Sequence, residues 1–381
     1  MRCTVHLPRP AIPMRRTNAL KLEGLERQRR RFERNARAPR LQQLFLEVTP
    51  RCNLSCIHCG SRCDEHALVE EVSLDEYRSL LERVREAFGT GVFVAVTGGE
   101  PMLRKDIFEL GSLIRDMGFS WGMTTNATLI TPDAACRLIE SGLRTVSASI
   151  DGMPSTHDAV RRCPGSYEAA VQGVINLAAT EGLTELQVTS VMNHQTIDEL
   201  DDLFDIMVDL PIDSWRLANV EPIGSALLHP EILFQSQDYS RLFSFIREKR
   251  EEEWPVSYGC CHYLGLVYEG ELRNWFWLCS AGIHIMSVMH TGDIGTCLDV
   301  ERRHETVFGN IRTHDIVEVW RDGFDVFRQE NALADLNRTC AECSQKRWCR
   351  GDSAHSWDFD RNEPRVCMLR DLPEFIPVSR G

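Results

Sequence analysis

Up to residue 220 the chain alternates short apolar runs with longer segments of helical period, and this alternation restricts the fold more than any other feature. Runs at 44–48, 92–96, 119–123, 145–150, 186–191 and 214–218 read as strands. Between them, Leu74–Phe88 (with Ser73 placed to cap it), 105–117, 132–141, 166–179 and 196–208 read as helices. Six such βα units predict a parallel sheet with helices outside it. A length of 381 residues and 43% apolar content allow one large α/β domain and a smaller second one.

Strand one runs directly into three cysteines, Cys52-x3-Cys56-x2-Cys59. Three thiolates from one tight loop hold three irons of a [4Fe–4S] cluster and leave the fourth iron open to a cofactor or substrate. Structural zinc is the alternative, but zinc takes four closed ligands, usually from two CxxC pairs, and this loop supplies three in a row. About 40 residues later, Val96-Thr97-Gly98-Gly99-Glu100-Pro101 closes a second strand-like run. Two glycines let a backbone approach a charged ligand, and a carboxylate can take an ammonium group. On its own a Gly-Gly pair is more often a plain turn.

Together these segments resemble the CxxxCxxC loop and the GGEP motif of the radical S-adenosylmethionine (radical SAM) enzymes. The resemblance implies a partial (β/α)6 TIM-type barrel with its active site at the C-terminal strand ends. It implies that the open iron of a cluster on Cys52, Cys56 and Cys59 chelates the amino and carboxylate groups of S-adenosylmethionine, whose methionine end lies against Gly98, Gly99 and Glu100. Thr125-Asn126-Ala127 resembles the family's TNG turn, with Ala in place of Gly. Ser147-Ala148-Ser149-Ile150-Asp151-Gly152, with His157-Asp158, Arg161 and Pro164-Gly165-Ser166-Tyr167, resembles a region of peptide- and protein-modifying members. There Ser149 and Arg161 are expected near the cofactor's ribose and carboxylate, with a strand hydroxyl and a surface salt bridge as their ordinary alternatives.

A second cysteine-rich stretch resembles the SPASM extension, which carries two auxiliary [4Fe–4S] clusters. Its elements are Cys279-x12-Gly292-x4-Cys297, Cys340-x2-Cys343-x5-Cys349 and Cys367. One position departs from the pattern: Ser353 stands where the family has a cysteine for the cluster nearer the active site. The distal cluster is then expected on Cys340, Cys343, Cys349 and Cys367. The proximal one is expected on Cys279, Cys297 and one of the pair Cys260-Cys261, with Cys261 assigned, leaving an iron open or held by Asp352, Ser353 or substrate. A zinc-ribbon-like module is the alternative, since CxxC spacing also suits zinc. His58 is expected to cover the first cluster and Asp299 to be a turn carboxylate. Cys63, Cys136 and Cys163 have no motif partner and read as small buried hydrophobes.

The organisation expected is a basic N-terminal arm or helix at 1–40, the barrel at 41–235, a bridging helix at 236–257 and the SPASM domain at 258–381. Residues 1–40 carry twelve Lys/Arg against three Glu in a chain of net charge −13. The segment 18–37 reads as a solvated helix or flexible arm, or as a dock for an acidic leader peptide or nucleic acid. About 43 residues precede strand one, too few for a separate winged-helix leader-binding domain. No window approaches the roughly 18 apolar residues of a membrane span, and fifteen cysteines without a secretion signal suit a reducing, cytoplasmic compartment.

The function implied is hydrogen abstraction by a 5′-deoxyadenosyl radical, fed by flavodoxin or ferredoxin, on a ribosomally made precursor peptide. The product would be a crosslink, an inverted stereocentre or an oxidised side chain. A small-molecule dehydrogenase, acting for example on a sugar, is the alternative enzyme. A non-catalytic zinc protein gripping nucleic acid with its arm is the alternative of another class.

Overall fold

In the computed structural model, residues 18–61, 63, 70–329 and 333–372 are described. Helix α1 (Asn18–Arg37) precedes a run of strands and helices in strict alternation: β1 (Gln43–Glu47), α2 (Leu74–Phe88), β2 (Phe93–Thr97), α3 (Ile107–Asp116), β3 (Trp121–Thr125), α4 (Pro132–Glu140) and β4 (Leu143–Ser149). Two short helices, α5 (Pro154–Arg161) and α6 (Ser166–Ala178), lead to β5 (Glu185–Met192), α7 (Leu200–Asp209), β6 (Ser214–Asn219), α8 (Ser236–Glu251) and β7 (Val256–Tyr258). The α/β class and the order of the six units are as expected. Ser73 caps α2 through a reciprocal box with Glu76. The last expected helix is split, with a 3₁₀ turn at Ile197–Glu199 before α7.

Strands β1 to β7 pair in sequence order, all parallel. The sheet also extends past β1. Strands β8 (Ile285–Val288), β9 (Asp293–Gly295) and β10 (Gly309–Asn310) come from the cysteine-rich region, and β8 lies parallel against β1 with Gln43 opposite Ile285. Ten strands therefore form one sheet where six were expected, because β7 extends the edge beside β6 and the auxiliary region adds β8, β9 and β10 beside β1.

Alternation along the strands separates two faces. On β4 and β5, Val146, Ala148, Leu186 and Val188 are buried in the main core, while Thr145, Ser147, Ser149, Gln187 and Thr189 are half-buried on the other face. Helices cover the first face, so the second is the concave interior, lined with small polar side chains.

Helix α1 is not a free arm. Lys21, Gly24, Leu25 and Phe32 are buried, and Lys21 Nζ donates to the Val267 carbonyl at 2.6 Å and pairs with Glu271. Phe32 stacks under the Arg350 guanidinium, 3.3 Å from the ring centroid. Arg27, Arg30, Arg31, Arg34 and Arg37 remain exposed along the outer side.

Candidate functional site

The cysteine loop leaves the C-terminal end of β1, and its backbone is fixed from several directions. Arg104, itself buried, donates to the Val48 and Val72 carbonyls at 2.9 Å each. The Ile57 amide donates to Val160 O on α5 at 3.0 Å, and the Ser225 amide to Cys59 O at 2.8 Å. Gly98 and Gly99 complete the clasp. The Gly99 and Glu100 amides donate to Thr49 O and Arg51 O at 2.7 and 2.8 Å, and a Cβ on Gly99 would lie 2.0 Å from Arg51 O. The close approach that demands glycine here is to the cysteine loop itself.

Glu100 is fully buried. Its carboxylate accepts from Thr125 Oγ1 at 2.7 Å, the Asn126 amide at 2.8 Å and the Met102 amide at 3.1 Å. Burial, the largest effect, lifts its pKa above the ordinary range, while those donors pull it back. A carboxylate has about four acceptor positions, so one remains for an ammonium group. Asn126, in the turn after β3, reaches Cys52 Sγ at 4.0 Å and Asn53 Oδ1 at 2.9 Å. Ala127 holds φ at 62°, the left-handed conformation for which the family's turn uses glycine.

The three thiols influence one another, and their environments differ. Burial raises Cys52 to about 11 and raises Cys56. Cys59 is lowered to about 5, chiefly by a hydrogen bond from Cys63. Cys63, without a partner in the sequence pattern, thus stands beside the loop as a fourth thiol. Arg161 lies on α5 and is buried, with Nε 2.8 Å and Nη2 2.6 Å from Asp151 Oδ2. Asp151 also accepts from the Val191 amide at 2.9 Å and stands 3.3 Å from His58 Nε2. Burial opposes the charge on Arg161, but Asp151 and the nearby Cys56 outweigh it and raise its pKa. Arg161 is therefore a buried cation held toward the cysteine loop, not a surface salt bridge. Ser149 ends β4 on the concave face, opposite Thr189. Sequence reasoning missed Asp151, which sits inside the quoted motif and orients Arg161.

Farther along the chain the remaining cysteines fall into two groups. Cys261 keeps accessible surface, yet the surrounding protein desolvates its thiol to about 12, and after burial the charge of Cys279 raises it most. Cys297 responds to Asp299, Cys279 and Cys261 in turn. Cys260 instead donates to Asn219 O at the end of β6. Cys261 is thus the member of the pair that joins Cys279 and Cys297. Burial raises Cys340, Cys349 and Cys367, and the charge of Asp352 raises each of them further. Cys343 N donates to Cys340 O at 3.1 Å, the tight turn that CxxC ligation needs. Ser353, fully buried, lies 3.2 Å from Ser356 Oγ and 3.4 Å from His355 Nε2.

The donor set fits iron–sulfur chemistry. Cys52, Cys56 and Cys59 share one loop, with a carboxylate, an arginine and Gly-Gly backbone clasped around them. Among the described residues no helix is long and apolar enough to cross a membrane.

Comparison with known proteins finds two matching families. Residues 46–207 match the radical SAM superfamily, and residues 279–344 match SPASM, an iron–sulfur cluster-binding domain. The chain is 26% identical to an AdoMet-dependent heme synthase of Nitratidesulfovibrio vulgaris, over 84% of this chain and 90% of that protein. It is 28% identical to the mycofactocin maturase MftC of Mycolicibacterium smegmatis, over 84% of this chain and 79% of that one. Its fold is similar to that of anSMEcpe, solved with bound AdoMet and the Cp18Cys peptide, at a TM-score of 0.69 and 19% identity, covering 88% of this chain and 96% of that one.

Proposed function

Since this chain belongs to the radical SAM superfamily and carries a SPASM iron–sulfur domain, we propose that it modifies a ribosomally made peptide by abstracting a hydrogen atom from it. The observation that carries the reading is the clasped loop of Cys52, Cys56 and Cys59, with Glu100 and Arg161 fixed beside it at the strand ends. When bound, S-adenosylmethionine and a [4Fe–4S] cluster supply reductive cleavage to a hydrogen-abstracting 5′-deoxyadenosyl radical.

The chain's own residues position and shield. Glu100 keeps one acceptor position for the cofactor's ammonium, and Gly98 and Gly99 hold the cysteine loop in register with it. Arg161, oriented by Asp151, offers a cation to the cofactor's carboxylate, and Ser149 offers a hydroxyl on the concave face. The polar interior walls replace bulk water around the reacting groups. Cys261, Cys279 and Cys297 would hold one auxiliary cluster and Cys340, Cys343, Cys349 and Cys367 another, which would supply electron relay or a substrate-binding iron.

For the substrate, the support comes from the exposed arginine stripe of α1, spaced to lie along one helix side and suited to an acidic leader. Apart from α1, a mixed-charge hollow of about 860 Å³ opens beside Val220 and Pro222 at the exit of β6. A second reading, a tetrapyrrole-directed activity like that named for the heme synthase relative, is favoured by Arg216. This arginine is exposed on β6, with Cys260 and Cys261 among the charges acting on it. Such a cation would pair with a substrate carboxylate.

The test is anaerobic incubation with S-adenosylmethionine and dithionite, reading 5′-deoxyadenosine. Wild-type protein should form it, and the Cys52→Ala, Cys56→Ala, Cys59→Ala triple variant should not, while keeping its auxiliary iron. Product formation by the triple variant would sink the assignment. Repeating the assay with acidic-leader peptides and with iron porphyrins separates the two substrate readings by which one is consumed.

A further inference from the structure

Outside the cluster loop, the densest gathering of ligating side chains is buried where barrel and auxiliary region meet. Glu221 follows β6, His262 follows the Cys260-Cys261 pair, and His355 follows Ser353, so three segments far apart in sequence converge. Each offers one ligand atom, and these lie within 4.8 Å of one another. His262 Nε2 is 2.6 Å from Glu221 Oε1, and His355 Nε2 is 3.8 Å from Glu221 Oε2. Donor atoms around a tetrahedral ion with bonds of about 2.0–2.1 Å stand roughly 3.3 Å apart. The two separations, one to each carboxylate oxygen, bracket that value.

Three further observations point the same way. Glu221 Oε2 is buried and has no hydrogen-bond partner among the described residues. His262, fully buried, has its other nitrogen, Nδ1, 2.7 Å from Asp352 Oδ2, the outer carboxylate that fixes ring orientation at metal sites. Asp352 is aimed by a turn in which Arg350, Gly351 and Asp352 all take positive φ, at 60°, 93° and 69°, and its Oδ1 accepts from the Tyr263 amide at 2.8 Å. Consecutive left-handed residues that are not all glycine are costly and persist where the surroundings demand them.

We propose that Glu221, His262 and His355 form a mononuclear site for a divalent transition-metal ion of the Zn²⁺, Fe²⁺ or Mn²⁺ class, with Asp352 positioning His262. Two imidazoles and a carboxylate suit these ions, and no cysteine is among the donors. The ion takes the place of the proton shared between His262 and Glu221. It ties the exit of β6, the exit of β7 and the turn at 350–355 into one clasp between barrel and auxiliary region.

The test uses the full chain with its iron–sulfur centres in place, treated with a chelator, titrated with Zn²⁺, desalted and assayed for zinc, iron and sulfide. The expected result is about one tightly held zinc per chain, with a raised melting temperature. Glu221→Gln and His355→Ala should each lose that zinc and its thermal effect, with iron and sulfide unchanged. Asp352→Asn should bind 10- to 100-fold more weakly. Wild-type protein that retains neither zinc nor Mn²⁺ overturns the proposal, whether or not any variant folds. So does zinc retained in full by both ligand variants, which would place it on thiols. Iron lost on His355→Ala overturns it as well, since the histidine would then serve an auxiliary cluster.

Discussion

At the scale of single residues, Glu100 combines two duties that are usually considered apart. Its carboxylate pins the turn after β3 to the turn after β2, and on the proposed reading its remaining acceptor position takes the cofactor's ammonium. Glu100→Ala should therefore show two effects. Three buried donors lose their acceptor, at about 1–3 kcal/mol each before relaxation, so the melting temperature should drop by several degrees. Cofactor affinity, read by calorimetry, should fall at least 10-fold. Unchanged affinity with a lowered melting point would leave the residue a purely structural role. His157 gives a pH signature. Its Nδ1 accepts from the Asp151 amide at 3.0 Å, and burial lowers its pKa from 6.5 to about 4. The fold thus keeps the neutral ring, while the unfolded chain takes up a proton below about 6.5. Stability is complete above that pH, declines as pH falls toward 4, and loses about 3 kcal/mol across the window. Denaturant unfolding at pH 7 and pH 4 should show this loss in wild type and not in His157→Gln.

Elements explain what was legible in the sequence. The six barrel strands are continuous β-branched or apolar runs followed by amphipathic helices, and each formed within two residues of its expected place. Cys52, Cys56 and Cys59 stood out in the sequence because all three lie in one short loop. By contrast, β8, β9 and β10 are two to four residues long and pair with distant partners, which no local period announces. Glu221, His262 and His355 were illegible for a related reason: each is a lone polar residue, and only the tertiary fold brings them together. The Cys260-Cys261 choice needed the orientation of β7, which turns one thiol to β6 and the other to Cys279. The clasp between loops makes its own prediction. Gly99→Ala puts a methyl group against the Arg51 carbonyl, so the cysteine loop must shift. Iron held by Cys52, Cys56 and Cys59 should fall well below wild type after reconstitution, with the auxiliary clusters intact by electron paramagnetic resonance. Full occupancy of all clusters would show that the loop yields without cost.

Across the whole molecule, the N-terminal helix and the auxiliary region act as one body. The helix was expected to be solvated or flexible because its arginines dominate its composition, and the few apolar positions that dock it were easily discounted. Gly24 is the pivot: a Cβ there would lie 2.2 Å from the Phe276 ring. Gly24→Leu should lift α1 off the surface, expose Leu25 and Phe32, and destabilise the protein by about 2–4 kcal/mol. Limited proteolysis should then cut within 18–37, where wild type resists.

The pairing of β8 with β1 also sets the order in which the protein can be finished on the ribosome. Strand β1 is made early, but its outer neighbour emerges only about 240 residues later. At elongation rates of about 5–20 residues per second, that strand waits roughly 10–50 s with one row of amides and carbonyls unpaired. An unpaired edge of this kind recruits other chains. The strand that presents the cluster loop is thus the nascent chain's most adhesive part. Synthesis speed and chaperone supply, more than final stability, should govern how much protein reaches its active form.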